Sequence, residues 1–200
     1  VTEMFRDPGF YRSVRANVIN HLYSYPHLKV WHAGCATGEE AYSMNIILEE
    51  EKLKDRSMMY ATDINRLVLS KAKKGIYPVQ CLREYEKNYI DSGGSHDLSL
   101  YYCKAYDHFI MNNNLMNNIV FTEHDLATDY VFGEMQMVMC RNVLIYFNRD
   151  LQNKVFKLFH ESLDLGGFLC LGAKETLDFY EGRDHFKVVD DAYKIYQLVK

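Results

Sequence analysis

A chain of 200 residues, 48% hydrophobic and 25% charged, is long enough for one domain with a substantial core and has the balance of an ordinary soluble globule. No apolar run approaches the roughly 20 residues a bilayer-spanning helix needs, and no basic-then-apolar segment marks a secretory signal. A formal charge of −4 argues against nucleic-acid binding as the main activity, and five scattered cysteines without a C-x-x-C pair argue against a disulfide framework or zinc site and for a reducing cytoplasm.

The chain opens at Val1 without a methionine and close to a motif, as a piece of a longer protein would. Asp7-Pro8 reads as a helix start, with Asp7 as N-cap and Pro8 at the first helical position. Phe10, Val14, Val18 and Leu22 recur on one face until Pro26. Leu28 to Ala33 predicts a strand, and Ala41, Met44, Ile47 and Leu48 give helical spacing from Glu39 to about Lys54. Met58 to Ile64 predicts a second strand, followed by a helix from about Asn65 to Lys74 that Gly75 closes.

The pattern then breaks. Residues 76–116 are rich in tyrosine and asparagine, with a Ser-Gly-Gly turn at 92–94 and alternating stretches such as "LSLYYCKAYDHFIM", and predict a small antiparallel insertion. Strands at 118–126 and 135–140 resume the alternation. A long helix from Asn148 uses Leu151, Val155, Leu158, Phe159 and Leu163 and ends at Gly166-Gly167. Strands at 168–173 and 193–199 are expected to pair as a hairpin at one edge. Strands alternating with helices imply a mostly parallel α/β sheet covered on both faces.

In such a sheet ligands bind at the carboxyl ends of the strands, where strand order switches direction. Gly34 and Gly38 stand between the first strand and its helix, in "VWHAGCATGEEAYS", where glycine permits a sharp turn and close ligand approach. Asp63, at the end of the next strand, is placed to accept from both hydroxyls of a ribose. The loop is neither a dinucleotide fingerprint nor a P-loop. Glu39 and Glu40 occupy the helix N-terminus, where they would repel a diphosphate. A cationic nucleoside fits better than a polyphosphate, and S-adenosylmethionine is one. Taken singly, these residues also have structural readings: glutamates in a first turn answer the helix dipole, and aspartate after a strand is a common turn residue.

With "FRDP" (5–8), "AGCATGEEAYS" (33–43), "ATDI" (61–64), "CRNVLIYF" (140–147) and "LGAKETL" (171–177) in that order, the chain resembles the chemotaxis-receptor glutamate methyltransferases, the CheR family. The resemblance covers nearly the whole chain. It implies a Rossmann-like class I S-adenosylmethionine-dependent methyltransferase fold over 1–200, with a small β-sub-domain inserted at 76–116 and the family's N-terminal helical domain absent from this chain. It implies methylation of receptor glutamates to γ-methyl esters in the cytoplasm, with S-adenosylhomocysteine as product and no metal. The implied partner is the helical bundle of a chemoreceptor; in some family members a receptor C-terminal tail peptide pairs with the inserted sub-domain, which here reads equally as a structural flap, and nucleic acid and direct membrane insertion are not implied.

Residue by residue, the resemblance places Thr2 and Arg6 at the cofactor from the segment preceding the fold, with Gly34 and Gly38 in its turn. Glu40, with Glu39 sharing the role, is the acid at the cofactor's amino-acid end, and Asp63 is the ribose-binding aspartate. Asp125 and Leu126 stand at an Asn-Leu pair flanking the adenine, and Cys140 and Arg141 lie beside the cofactor at a strand end. Tyr146 lies near the transferred methyl group, and Arg6, Arg141 and Tyr146 are the candidate catalytic residues. His32 stands where the family often has a small serine. The rivals are a cofactor-binding sensory or scaffolding module without transfer, and methylation of a small carboxylic acid.

Overall fold

The computed structural model describes residues 2–200. Its central element is a seven-stranded sheet built from β1 (Leu28–Ala33), β2 (Ser57–Asp63), β6 (Ile119–Glu123), β7 (Met135–Cys140), β8 (Leu163–Leu171), β9 (Phe186–Asp190) and β10 (Ile195–Leu198), in the order β6-β2-β1-β7-β8-β10-β9. β1 pairs in parallel with β2 on one side and β7 on the other, so the strand order switches direction between β1 and β7. β10 is antiparallel to both of its neighbours.

Alternation along the strands divides the core in two. Leu28, Val30, Met59, Met137 and Met139 face one layer, formed with α1 (Pro8–Asn17), α2 (Ile19–Leu22), α3 (Glu39–Glu50) and α4 (Arg66–Lys74). Trp31, Ala33, Val138, Cys140 and Leu169 face the other, where α7 (Arg149–Ser162) contributes Val155, Phe156 and Phe159. Both layers are apolar, so the central strands read as near-continuous hydrophobic runs.

Between α4 and β6 a second sheet of three short strands, β3 (Ile76–Pro78), β4 (Tyr102–Ala105) and β5 (His108–Met111), runs antiparallel in the order β3-β5-β4. It buries Tyr77, Tyr102 and Phe109. The same stretch holds two helices, α5 (Leu82–Asp91) and the short α6 (Asn113–Met116), where a purely antiparallel unit was expected. Leu82, Tyr85 and Tyr89 bury one face of α5 at helical spacing, although tyrosine favours strands in isolation.

Other expectations need correction. Asp7 stands at the start of α1 but does not cap it: its φ is 57° and its carboxylate is drawn to Arg141. The first helix is interrupted at Val18, though Phe10, Val14, Val18 and Leu22 are all fully buried. α7 is capped by the Asn148 side chain, which accepts from the Leu151 N–H, but stops at Ser162. β8 then begins directly and runs through Gly166-Gly167, with Gly166 at φ 86° and a register shift against β7. A Cβ at Gly167 would lie 2.8 Å from the Asp164 carbonyl, so these glycines permit an irregular strand and do not end the helix. β9 was not expected, and it makes β10 an interior strand. Among the described residues no helix is long and apolar enough to cross a membrane.

Candidate active site

The turn after β1 is built around two left-handed glycines, Gly34 at φ 75° and Gly38 at φ 95°. The Thr62 carbonyl accepts from the N–H groups of both Gly34 and Cys35 at 2.8 Å, tying the turn to the end of β2. Gly34 faces the segment after β7: a Cβ there would lie 2.4 Å from Val143 Cγ2. The turn and that segment meet at the point where strand order switches.

Asp63 holds the turn in place. Its Oδ2 accepts from the Ala36 N–H at 2.9 Å and its Oδ1 from the Asn65 N–H at 2.9 Å. Each oxygen keeps a second lone pair, so the carboxylate can bridge the turn and still receive two hydroxyls.

The two glutamates at the start of α3 part company. Glu39 accepts from Thr37 Oγ1 at 2.6 Å, burial pushes its carboxyl up, and it is not among the residues lining the cleft. Glu40 lines the cleft, and its Oε1 accepts from Arg141 Nη1 at 2.8 Å. Burial alone would raise the Glu40 carboxyl, but Arg141, with His32 beside it, overcomes that cost and holds it down at about 2. His32 Nε2 stands 3.6 Å from Oε2, too far for a hydrogen bond, so Oε2 retains accepting capacity.

Arg141 is 5% exposed, and a buried guanidinium needs anionic partners. It has two: besides Glu40, its Nη2 donates to Asp7 Oδ2 at 2.7 Å, and the Phe10 ring centroid lies 4.0 Å from its Cζ. Burial would lower its affinity for the proton, but Glu40 and its other neighbours raise it above the ordinary arginine value. The left-handed Asp7 thus delivers a carboxylate from the segment before the fold to the end of β7.

Two lobes share the cleft. One, of about 350 Å³, is lined by Thr2, Arg6, His32, Gly34, Glu40, Asp63, Arg141, Val143 and Tyr146 among others. The other, of about 370 Å³, is lined by Gly34, Asp63, Ile64, Asp125, Leu126, Val143, Tyr146 and Phe147 among others. Gly34, Asp63, Val143 and Tyr146 line both, so the lobes adjoin. Tyr146 closes a helical turn, Leu144–Tyr146, and is 81% exposed. Gly38 and Cys140 lie behind the lining; Cys140 is fully buried at the end of β7, and burial pushes its thiol well up.

Glu175 went unnoticed in the sequence. It is 5% exposed, and its carboxylate accepts from the backbone N–H groups of Asn142, Val143, Leu144 and Gly172 at 2.6–3.0 Å. Nothing in "LGAKETL" signals this, because three of the four donors, Asn142 to Leu144, follow a strand more than thirty residues upstream.

The donor set fits S-adenosylmethionine. The paired carboxylate lone pairs of Asp63 suit a ribose, and the missing side chain at Gly34 lets Val143 close in beside it to complete the wall of the cleft. Glu40 beside Arg141 provides an acceptor and fixed charge at the far end, and neither glutamate leaves the α3 N-terminus open to a diphosphate.

Comparison with known proteins agrees. A family model described as "CheR methyltransferase, SAM binding domain" matches residues 1–195. Cher3 of Pseudomonas putida is 52% identical over 197 residues, which are 98% of this chain and 72% of Cher3. A "Chemotaxis protein methyltransferase" of Listeria innocua is 32% identical over 184 residues, 88% of this chain and 65% of that protein. Among solved structures, "StiE O-MT residues 961-1257" aligns with a TM-score of 0.52 at 17% identity, covering 91% of this chain and 52% of that one. That likeness speaks to the fold alone, which is the class I S-adenosylmethionine-dependent methyltransferase fold.

Proposed function

The chain belongs to the CheR methyltransferase family through its S-adenosylmethionine-binding domain, and from that premise we propose that it methylates glutamate side chains of chemoreceptors to γ-glutamyl methyl esters. The observation that carries this reading is the two-lobed cleft at the switch point, with Asp63 and Glu40–Arg141 in its wall and the exposed Tyr146 where the lobes adjoin.

Bound S-adenosylmethionine supplies an electrophilic methyl group on a sulfonium. Asp63 would receive the ribose hydroxyls, and Asp125 and Leu126, which line the same lobe, would flank the base. Glu40 would accept from the cofactor's ammonium, while Arg6, with Thr2 beside it, would answer its carboxylate. Arg141 keeps Glu40 ionised and aimed. The substrate glutamate, with a reference pKa of about 4.3, is already ionised at neutral pH, so no general base is required. Transfer forms one C–O bond and breaks one C–S bond with its electron pair left on sulfur, and no proton moves. The work is alignment, which can account for about 7–11 kcal/mol of barrier. The Tyr146 hydroxyl donates to one oxygen of the incoming carboxylate and leaves the other free to attack. A cation paired to that carboxylate would blunt it as a nucleophile.

The receptor's helical bundle is the substrate under this reading, in the cytoplasm. One edge strand of the small sheet, β4, is where a receptor tail peptide would add as a further strand. The test is incubation with labelled S-adenosylmethionine and receptor membranes, followed by alkali. Volatile methanol is expected from methyl esters; binding of the cofactor with no volatile label would overturn transfer in favour of a sensing module. Failure of tail peptides to retain the protein on a column would remove the docking role of β4.

A further inference from the structure

We propose that Glu175 is a positioning residue for methyl transfer, acting through the segment after β7 without touching cofactor or substrate. The inference rests on the transferase reading above. A carboxylate that is 5% exposed normally has a cation beside it, yet the hydrogen-bond partners of Glu175 are backbone N–H groups. Oε1 accepts from Val143 at 2.9 Å and Leu144 at 2.7 Å; Oε2 accepts from Asn142 at 3.0 Å and Gly172 at 2.6 Å. Three of these donors are consecutive, in a segment whose first residue, Asn142, has φ 61°.

Three successive N–H groups pointing at one spot form an anion-binding concavity, and here the anion is part of the chain. The geometry is close on every side. A Cβ at Gly172 would lie 2.8 Å from both the Asn142 nitrogen and Glu175 Oε2, so the turn after β8 also has to be glycine to bring the carboxylate in. The segment so fixed carries the site: Arg141 precedes it, Val143 lies against Gly34, and Tyr146 follows within one turn. Asp63 and the turn after β1 are held by other bonds and do not depend on Glu175. Loosening Glu175 therefore displaces Tyr146 and Val143 relative to Asp63, which is an error in alignment.

This separation sets the test. Glu175→Gln keeps the shape but turns an N–H₂ toward backbone donors, and Glu175→Asp withdraws the carboxylate while keeping its charge. Each is measured well below its own melting temperature for kcat, KM and S-adenosylhomocysteine affinity, with amide hydrogen exchange followed at 142–144. In Glu175→Gln, kcat is expected to fall about 100-fold, as roughly 1 Å of misplacement can cause. S-adenosylhomocysteine affinity should change less than about fivefold, and the Asn142–Leu144 amides should exchange at least about tenfold faster. Glu175→Asp should recover part of kcat and part of the protection together. Unchanged protection at 142–144 would overturn the clamp. Faster exchange with an unchanged kcat, or a kcat loss matched by an equal affinity loss, would overturn the positioning role. If the unaltered protein transfers no methyl group, the proposed function fails, while the exchange result still decides whether Glu175 holds the segment.

Discussion

Arg141 shows how one side chain can organise a site it also belongs to. Its guanidinium receives a carboxylate from α3 (Glu40) and another from the segment before α1 (Asp7), over the ring of Phe10. Glu40 consequently sits at about 2 when folded against an ordinary 4.5. A depressed carboxyl contributes stability that is complete above the unfolded value and disappears as the pH falls through the folded one. The difference is worth roughly 3 kcal/mol at neutral pH. Denaturant unfolding from pH 7 downward should therefore show a loss between pH 4.5 and about 2 that Glu40→Gln lacks, the variant being weaker already at neutral pH. Tyr146 calls for a kinetic test, since it is exposed and its removal threatens little packing. Tyr146→Phe should slow transfer about 10- to 100-fold with S-adenosylhomocysteine affinity changed less than about threefold in calorimetry; equal losses would deny it a part in alignment.

Elements with strong periodicity are legible in the sequence alone. β7 and its bounds follow from the apolar run "MQMVMC", and the start of α7 follows from Asn148 ahead of an amphipathic pattern. Where the chain consults distant partners, local signals mislead. Gly166-Gly167 looks like a helix stop, but the space against Gln136 and Asp164 calls for glycine inside a strand. The edge strand β9 is short and flanked by charged residues, so it reads as a loop. The cleft was largely legible: Thr2, Arg6, Gly34, Glu40, Asp63, Asp125, Leu126, Arg141 and Tyr146 all line it. Asp7 and Glu175 were not, because Asp7 acts on Arg141 and Glu175 on Asn142 to Leu144, each more than thirty positions away. The turn after β1 supplies the prediction at this scale. Gly34→Ala combines a left-handed φ of 75° with a Cβ 2.4 Å from Val143, so it should destabilise by about 1–3 kcal/mol and weaken S-adenosylhomocysteine binding about tenfold or more by titration calorimetry.

Across the whole molecule, tyrosines join the inserted stretch to α3 and the turn before it. Tyr77 donates to the Thr37 carbonyl at 2.7 Å in the glycine turn, and Tyr89 and Tyr101 both donate to Glu50 on α3, which also pairs with Arg15. Burial pushes Tyr11, Tyr42, Tyr77, Tyr85 and Tyr101 above the ordinary phenol range, and Tyr89 and Tyr102 to about 12. A group raised on folding lends stability that is whole below its unfolded value and is lost as the pH climbs past it. Alkaline titration should therefore leave the tyrosinate absorbance incomplete until the fold opens above pH 10, the last part of the rise coinciding with the loss of helical circular dichroism. A smooth, complete rise while ellipticity is retained would contradict the burial. The cysteines divide in a way that experiment can use. Cys35, Cys140 and Cys170 are buried with their thiols pushed up, Cys81 is half-covered, and Cys103 stands open on β4, one of the two edge strands of the small sheet. A maleimide dye applied briefly to the native protein should settle there first, so the unaltered sequence carries its own lamp at the rim where a visiting peptide would lie down.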